Sequence, residues 1–519
     1  MPNPFSFGEV HMDVALGPDP SPQPHSPQSP FRIALLGDFS GRANRGLMET
    51  GHDLSRRRIV PVDRDSFDEV LGRAGASLGI PLEGPKGPSL SLHFKELDDF
   101  HPDQLFQRAS IFGKLRQLRE RLADPATFAE AAEGLGLAPA TRPAADAHPT
   151  APSTRAAAPD PSRLASGNLL EDLIEQSESQ SPHAHRPDEL QEFIRRVVAP
   201  HLAPEADPRQ PEVLARIDRT TSHLMGALLH HPDFQALEAA WRGVFFLVRR
   251  IETDSQLQLF LIDISKAELA ADLSSRQDLN STGLYKLLVE QTVRTPGVEP
   301  WAVLAANFTF DPTRADANLL GRIAKVASAA GAPFLAATSP GVLGCESIAT
   351  LSNPHEWKPA AGNEDAEAWR ALRNLPEATY LGLALPRFLL RLPYGKDTDF
   401  IEQFDFKEML DPPAHEDYLW GNPAWACVLL LAQAFSASGW RMRPGESSEI
   451  TGLPLHLYRR DGESQAKPCA EVLLTTAAAD RIMEKGVMPL ASLKGQDAAR
   501  LVRFQSLADP IRALSGRWG

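Results

Sequence analysis

The chain has 519 residues, with 53 Lys plus Arg against 67 Asp plus Glu and a formal net charge of −14. That length accommodates roughly two to four domains, and 42% apolar with 23% charged residues is the composition of an ordinary water-soluble protein. The acidic balance excludes a general nucleic-acid binder, which needs a Lys/Arg-rich face to displace counterions. The three widely spaced cysteines, Cys345, Cys427 and Cys469, exclude a disulfide framework and a cysteine zinc site.

The N-terminus carries neither a basic stretch nor a long apolar run, so it reads as no secretory signal. Residues 11–30 hold six prolines in twenty positions, and a disordered tail over 1–30 is expected. Order begins, on this reading, with the apolar run FRIALLGDF at Phe31, a buried strand closed by Gly37 and Asp38. The alternating SLSLHF ending at Phe94 predicts a second strand. A helix follows Pro102, with Asp99 as its expected cap, and continues through Leu105, Ile111, Leu115, Leu118 and Leu122. Residues 137–167, with ten alanines and six prolines, read as a semi-stiff linker. It divides the chain into an N-terminal unit over 31–136 and a larger unit over 168–519.

Past the linker, Asn168 to Gln176 forms a short amphipathic segment, with Leu169, Leu170, Leu173 and Ile174 as one apolar stripe and Glu171, Asp172 and Glu175 opposite. A helix this short, tethered by polar chain, needs a partner to bury its stripe. Helices are predicted over 213–229 and 234–250, the latter with Phe234, Leu237, Trp241 and Phe245 near one face. Strands are predicted at 257–264, 302–308 and FLAAT (334–338), and further helices over 319–330 and 424–436. This alternation implies an α/β core with a parallel or mixed sheet. The run from Ala424 to Phe435 is too short to span a bilayer and contains Gln433. A soluble cytoplasmic protein is expected.

Three clusters invite a catalytic or metal-binding reading. Asp98, Asp99, His101 and Asp103 pair carboxylates with an imidazole, but acids in a first helical turn serve the helix dipole as well. His230, His231 and Asp233 flank a proline that separates two helices, and adjacent histidines diverge on a helix. His415, Glu416 and Asp417 are consecutive and lack a sequence-near partner for acid/base work. There is no phosphate loop, no GxSxG elbow and no HExxH. Bulky and bidentate residues beside Gly or Pro are more telling: Trp241-Arg242-Gly243, Pro386-Arg387-Phe388, Arg391 to Gly395 and Tyr418 to Pro423. Such sets build rigid turns, buried ion pairs and interfaces.

These residues also carry a family resemblance. HHPDFQALEAAWRGVFFLV (230–248) resembles the hallmark of the large contractile-sheath subunit of type VI secretion systems, TssC or VipB. PFLAATSP (333–340), the stretch around Trp369 and Arg373, YLGLALPRFLLRLPYG (380–395), HEDYLWGNPAWA (415–426), ITGLPLHLY (450–458) and the lysine-bearing KPCAEVLLT (467–475) follow in the family's order, over about 168–508. FRIALLGDFSGR (31–42), DRDSFDEVL (63–71) and LHFKELDDFHPDQL (92–105) resemble the small subunit, TssB or VipA.

The resemblance implies a structural, non-enzymatic role without catalytic residue, metal or cofactor. Subunits assemble around an inner tube, and contraction drives the tube outward. Expected partners are other sheath subunits, the tube protein and a ClpV-type ATPase that recognises Leu169, Leu170, Leu173 and Ile174, with no nucleic acid and no membrane insertion. The small-subunit-like part ends near Leu137 and the large-subunit-like part at Gly519, short of the family's terminal segments. A non-polymerising adaptor or cap is the alternative, and an enzyme using His415, Glu416 and Asp417 a third.

Overall fold

The computed structural model describes residues 7–10, 29–81, 89–124, 127–135, 209–350, 353–358, 363–410 and 412–518. The linker and the stripe Leu169, Leu170, Leu173 and Ile174 lie outside them. Of the tail, Phe7 is buried and its ring sits where a Cβ on Gly321 would stand, so ordered packing starts earlier than Phe31.

The N-terminal unit supplies β1 (Phe31–Gly37), α1 (Gly51–Ser55), β2 (Val60–Val62), α2 (Phe67–Ala74), β3 (Ala76–Pro81), β4 (Ser89–Phe94), α3 (Pro102–Arg108), α4 (Ser110–Ala123) and α5 (Phe128–Gly134). The single helix expected after Pro102 is two, broken at Ala109, whose ψ is 129°. Leu105 and Ile111 are six apart, which puts them on different faces of one straight helix. The break resets the phase, and Leu105, Phe106, Ile111, Phe112 and Leu115 all reach the core. His101, not Asp99, caps α3: its Nδ1 accepts from Asp103 N at 3.2 Å. Asp99 closes the preceding 3-10 turn, accepting from Lys95 N and Glu96 N.

Among the described residues the larger unit opens with α6 (Arg209–Leu229) and α7 (Pro232–Val248), separated by a second His-Pro-Asp start in which His231 Nδ1 accepts from Asp233 N. Then come β5 (Leu257–Asp263), α8 (Lys266–Ser274), β6 (Val303–Phe310), α9 (Arg314–Ala330), β7 (Phe334–Thr338), α10 (Glu364–Arg373), β8 (Leu381–Leu385), β9 (Phe388–Leu389), β10 (Trp420–Gly421), α11 (Pro423–Ser438), β11 (Glu449–Ile450), the hairpin β12 (Leu457–Arg460) and β13 (Glu463–Ala466), α12 (Thr476–Glu484), β14 (Val487–Ser492) and β15 (Ala499–Leu501). Prolines at the first turns of α7 and α11 suit helix starts, where their missing N–H has no intrahelical partner to lose.

The architecture is α/β around one nine-stranded sheet, in the order β11-β15-β14-β8-β7-β6-β1-β5-β2. The two strands predicted at 257–264 and 302–308 do share this sheet, but they are not neighbours. β1 from the N-terminal unit lies between them, parallel to both, pairing Phe31 with Leu257 and Ile33 with Val303. Ile33 and Leu35 face the core beneath α7 and α11, while Ala34 and Leu36 face the core beneath α9. A strand covered on both faces must be apolar throughout, as FRIALLG nearly is. The chain's two units therefore meet inside one sheet rather than across a surface contact.

Candidate functional site

The seam between the units is built from carboxylates at the carboxyl end of β5. Asp263 Oδ1 accepts from Phe39 N at 2.8 Å and Ser40 N at 3.1 Å, and its Oδ2 accepts from Ser40 Oγ at 2.7 Å. Burial pushes this carboxyl up, against the hydrogen bonds it receives. Asp38 folds the same turn by accepting from Arg42 N and Ala43 N. Gly41 has φ +78°, and a Cβ there would lie 2.3 Å from Ser77 O, so the turn requires glycine.

One turn further on, Ser265 and Glu268 form a capping box at the start of α8. Glu268 is fully buried and receives two guanidinium groups from the N-terminal unit, Arg42 (Nε 2.9 Å, Nη2 2.8 Å) and Arg57 (Nη2 3.1 Å). Burial pushes the Glu268 carboxyl up, and the hydrogen bonds from Arg42 and Arg57 outweigh it and hold it at about 2. Trp241, at the centre of the hallmark segment, is fully buried and donates its indole N–H to Phe39 O at 2.7 Å. Asp103 accepts from the backbone N–H groups of Glu402 and Gln403, both at 3.0 Å, a third tie between the units.

A second network lies under α7. Arg391 is bidentate to Glu408 (2.7 and 2.9 Å) and also donates to Glu238 (2.8 Å); Arg242 donates to Glu238 (2.7 Å) and to Tyr394 Oη (2.9 Å). Glu238 is fully buried, and Arg391 nearly so. Burial raises the Glu408 carboxyl, but Arg391 draws it down to about 2. Buried pairs like these fix a geometry more than they add stability, yet removing one partner strands a charge.

The third cluster sits beside the carboxyl ends of β6, β7 and β8. Glu471 accepts from Arg387 N (2.8 Å), Arg387 Nε (2.8 Å) and Arg387 Nη2 (2.6 Å), and lies 3.1 Å from His415 Nε2. Lys467 Nζ is 2.7 Å from His415 Nδ1 and stands over the rings of Tyr418 and Trp420. Burial lowers the Lys467 amine to about 8, with Glu471 and Glu416 opposing only in part. Glu471 has φ +44°, an unusual conformation for a residue with a side chain. Thr309, Thr338, Arg387, Glu416 and Glu471 line a cavity of about 280 Å³ there.

Among the described residues no group of three or more His, Cys, Asp or Glu side chains is placed to hold a metal ion. Asp99, His101 and Asp103 are occupied as caps and ties. His230 stands 3.6 Å from Glu408 and 3.7 Å from Asp417, beside the Arg391 network, while His231 caps α7. The consecutive His415, Glu416 and Asp417 separate: His415 turns to Lys467 and Glu471, Glu416 to Arg387, and Asp417 towards His230. Sequence reasoning missed Asp263, Glu268 and the pairing of Lys467 with His415. The Ser-x-x-Glu box after a predicted strand was the available signal for Glu268; nothing local marks a contact made across 52 residues. All three cysteines are buried and free.

A nine-stranded sheet completed by an N-terminal strand, with Trp241 bonded to that strand's turn, makes one α/β body out of two chain segments. Residues 211–508 match the family VipB, described as EvpB/VC_A0108, tail sheath N-terminal domain, and the chain belongs to that family. Residues 14–135 match a second family, described as Type VI secretion system, VipA, VC_A0107 or Hcp2, so the chain joins both types of sheath segment. The chain is similar to the type VI secretion system sheath protein TssC1 of Pseudomonas aeruginosa, 34% identical over 342 residues, which cover 63% of this chain and 69% of that protein. It is also similar to the sheath protein TssB1 of the same organism, 26% identical over 111 residues, covering 21% of this chain and 62% of that protein. The chain thus spans less than two thirds of TssB1. No helix among the described residues is long and apolar enough to cross a membrane.

Proposed function

We propose that this chain is a fused small- and large-subunit building block of a type VI secretion contractile sheath, working as a structural cytoplasmic protein. The observation that supports the reading is β1: the VipA-type segment places its first strand between two strands of the VipB-type segment, pairing in register with both. One chain then provides as a unit what TssB1 and TssC1 provide as two proteins. On this reading the unit assembles with further sheath subunits around an inner tube and drives protein injection. The apolar positions Leu169, Leu170, Leu173 and Ile174, whose spacing is that of an amphipathic helix, serve as a handle for the groove of a ClpV-type ATPase. The test is electron microscopy of the purified chain, alone and mixed with separate sheath subunits and tube protein. Tubes of regular diameter are expected. A monodisperse monomer in every mixture would replace this reading with the adaptor or cap.

A further inference from the structure

Lys467, His415 and Glu471 form a chain of contacts that the assembly role does not use. Lys467 Nζ is 2.7 Å from His415 Nδ1, and His415 Nε2 is 3.1 Å from Glu471 Oε1. In the tautomer with its proton on Nε2, His415 accepts from the Lys467 ammonium at Nδ1 and directs its own N–H at the carboxylate. Arg387 anchors that carboxylate through three hydrogen bonds, and the left-handed φ of Glu471 holds its backbone where an ordinary residue resists going. The His415 ring is further fixed by Trp420, whose indole N–H donates to His415 O at 2.9 Å and whose ring packs on the imidazole. A nucleophile-type atom within hydrogen-bond reach of a base, with that base oriented by a third group, is the arrangement that activates amines and hydroxyls.

We propose that Lys467 is a nucleophilic lysine that takes an acyl group from small activated acyl donors of the acyl phosphate class, with His415 as its base and Glu471 as the positioning residue. The Lys467 ammonium hands one proton to His415 Nδ1, from which it passes to water, and Glu471 steadies the imidazolium formed. The free amine attacks the acyl carbon. A nitrogen–carbon bond forms, the acyl carbon–oxygen bond breaks, and phosphate departs with the bonding pair and the second ammonium proton. The product is a neutral amide at Lys467, and the ion contact with His415 is lost. Lys467 lies at the foot of the β12–β13 hairpin, where its backbone N–H donates to His456 O. Acylation therefore changes the charge at the base of a surface projection.

The experiment treats the full-length protein with acetyl phosphate and follows each lysine by peptide mass spectrometry, with the exposed Lys358 and Lys494 as internal references. An amine held at about 8 is roughly one-fifth deprotonated at pH 7.4, against under about a thousandth for an ordinary lysine. Lys467 should therefore react at least about tenfold faster than the references. Its rate should rise with pH and level off above about pH 8. His415→Gln should bring the Lys467 rate down to the reference rate, and Glu471→Gln should lower it in part. Equal or slower labelling of Lys467 in the wild-type protein overturns the proposal, as does fast labelling that His415→Gln leaves unchanged. The wild-type pH profile decides the matter if either variant fails to fold.

Discussion

Cutting the chain between its two units should not separate them. A protease site placed within residues 137–167 leaves β1 in the sheet, and β1 with its turn buries Phe31, Ile33, Leu35, Leu36 and Phe39 to 1% exposure or less. At about 1.5–3 kcal/mol for each large apolar side chain, those five residues alone contribute on the order of 7–15 kcal/mol gross. The buried faces of α2, β3, β4, α3 and α4 add to this. Association of two separate fragments costs on the order of 4–15 kcal/mol in lost freedom, and a micromolar complex requires about 8 kcal/mol net. The whole seam exceeds that sum, because its core extends well beyond β1. After complete cleavage the fragments should co-elute in size-exclusion chromatography at low micromolar concentration and separate only in denaturant. Elution as two independent folded species under native conditions would refute the argument that β1 is an integral strand.

Further outcomes concern the seam's ion pairs, the helix packing and the stripe. Glu268→Ala removes the buried carboxylate shared by Arg42 and Arg57, leaves both with Glu49 and Asp263 as partners, and should cost about 1–3 kcal/mol in urea unfolding. In the wild-type protein, the Glu268 carboxyl is held below its unfolded value, so its contribution is complete above about pH 4.5 and is lost as pH falls towards about 2, a dependence the variant should lack. Gly243→Ala would put a Cβ 2.3 Å from Trp425 Nε1 and should destabilise by about 1–3 kcal/mol through overpacking, seen as a lower urea midpoint with unchanged slope. Leu170→Asp with Ile174→Asp should abolish binding to a ClpV-type ATPase's N-terminal domain without changing the melting temperature; a drop in melting temperature, with no affinity in a peptide of residues 166–180, would discard the recognition helix.

The apolar runs and the βα alternation were local properties, so the strands read at 257–264, 302–308 and 334–338 and the helices read at 234–250 and 424–436 match the observed elements to within about two residues at each end, while their starts at Pro232 and Pro423 emerged only from the structure. Family membership was legible for a similar reason: the hallmark around Trp241 is a contiguous segment. What the linear order concealed was the neighbour relation. FRIALLG announces a strand buried on both faces, but nothing within it states that its partners are Leu257–Asp263 and Val303–Phe310, because parallel pairing is set by long-range packing. The interruption at Ala109 left only a partial trace. Ile111, Leu115, Leu118 and Leu122 keep helical spacing, the six-residue step from Leu105 to Ile111 breaks it, and the position of the core turns that break into a second helix start. The charged residues divide along the same line. Sequence alone determined that Arg391, Glu238, Glu268, Lys467 and His415 exist and are ionisable; tertiary structure decided which are paired, since a buried charge persists only where another element, often more than a hundred residues away, brings its counter-charge to it.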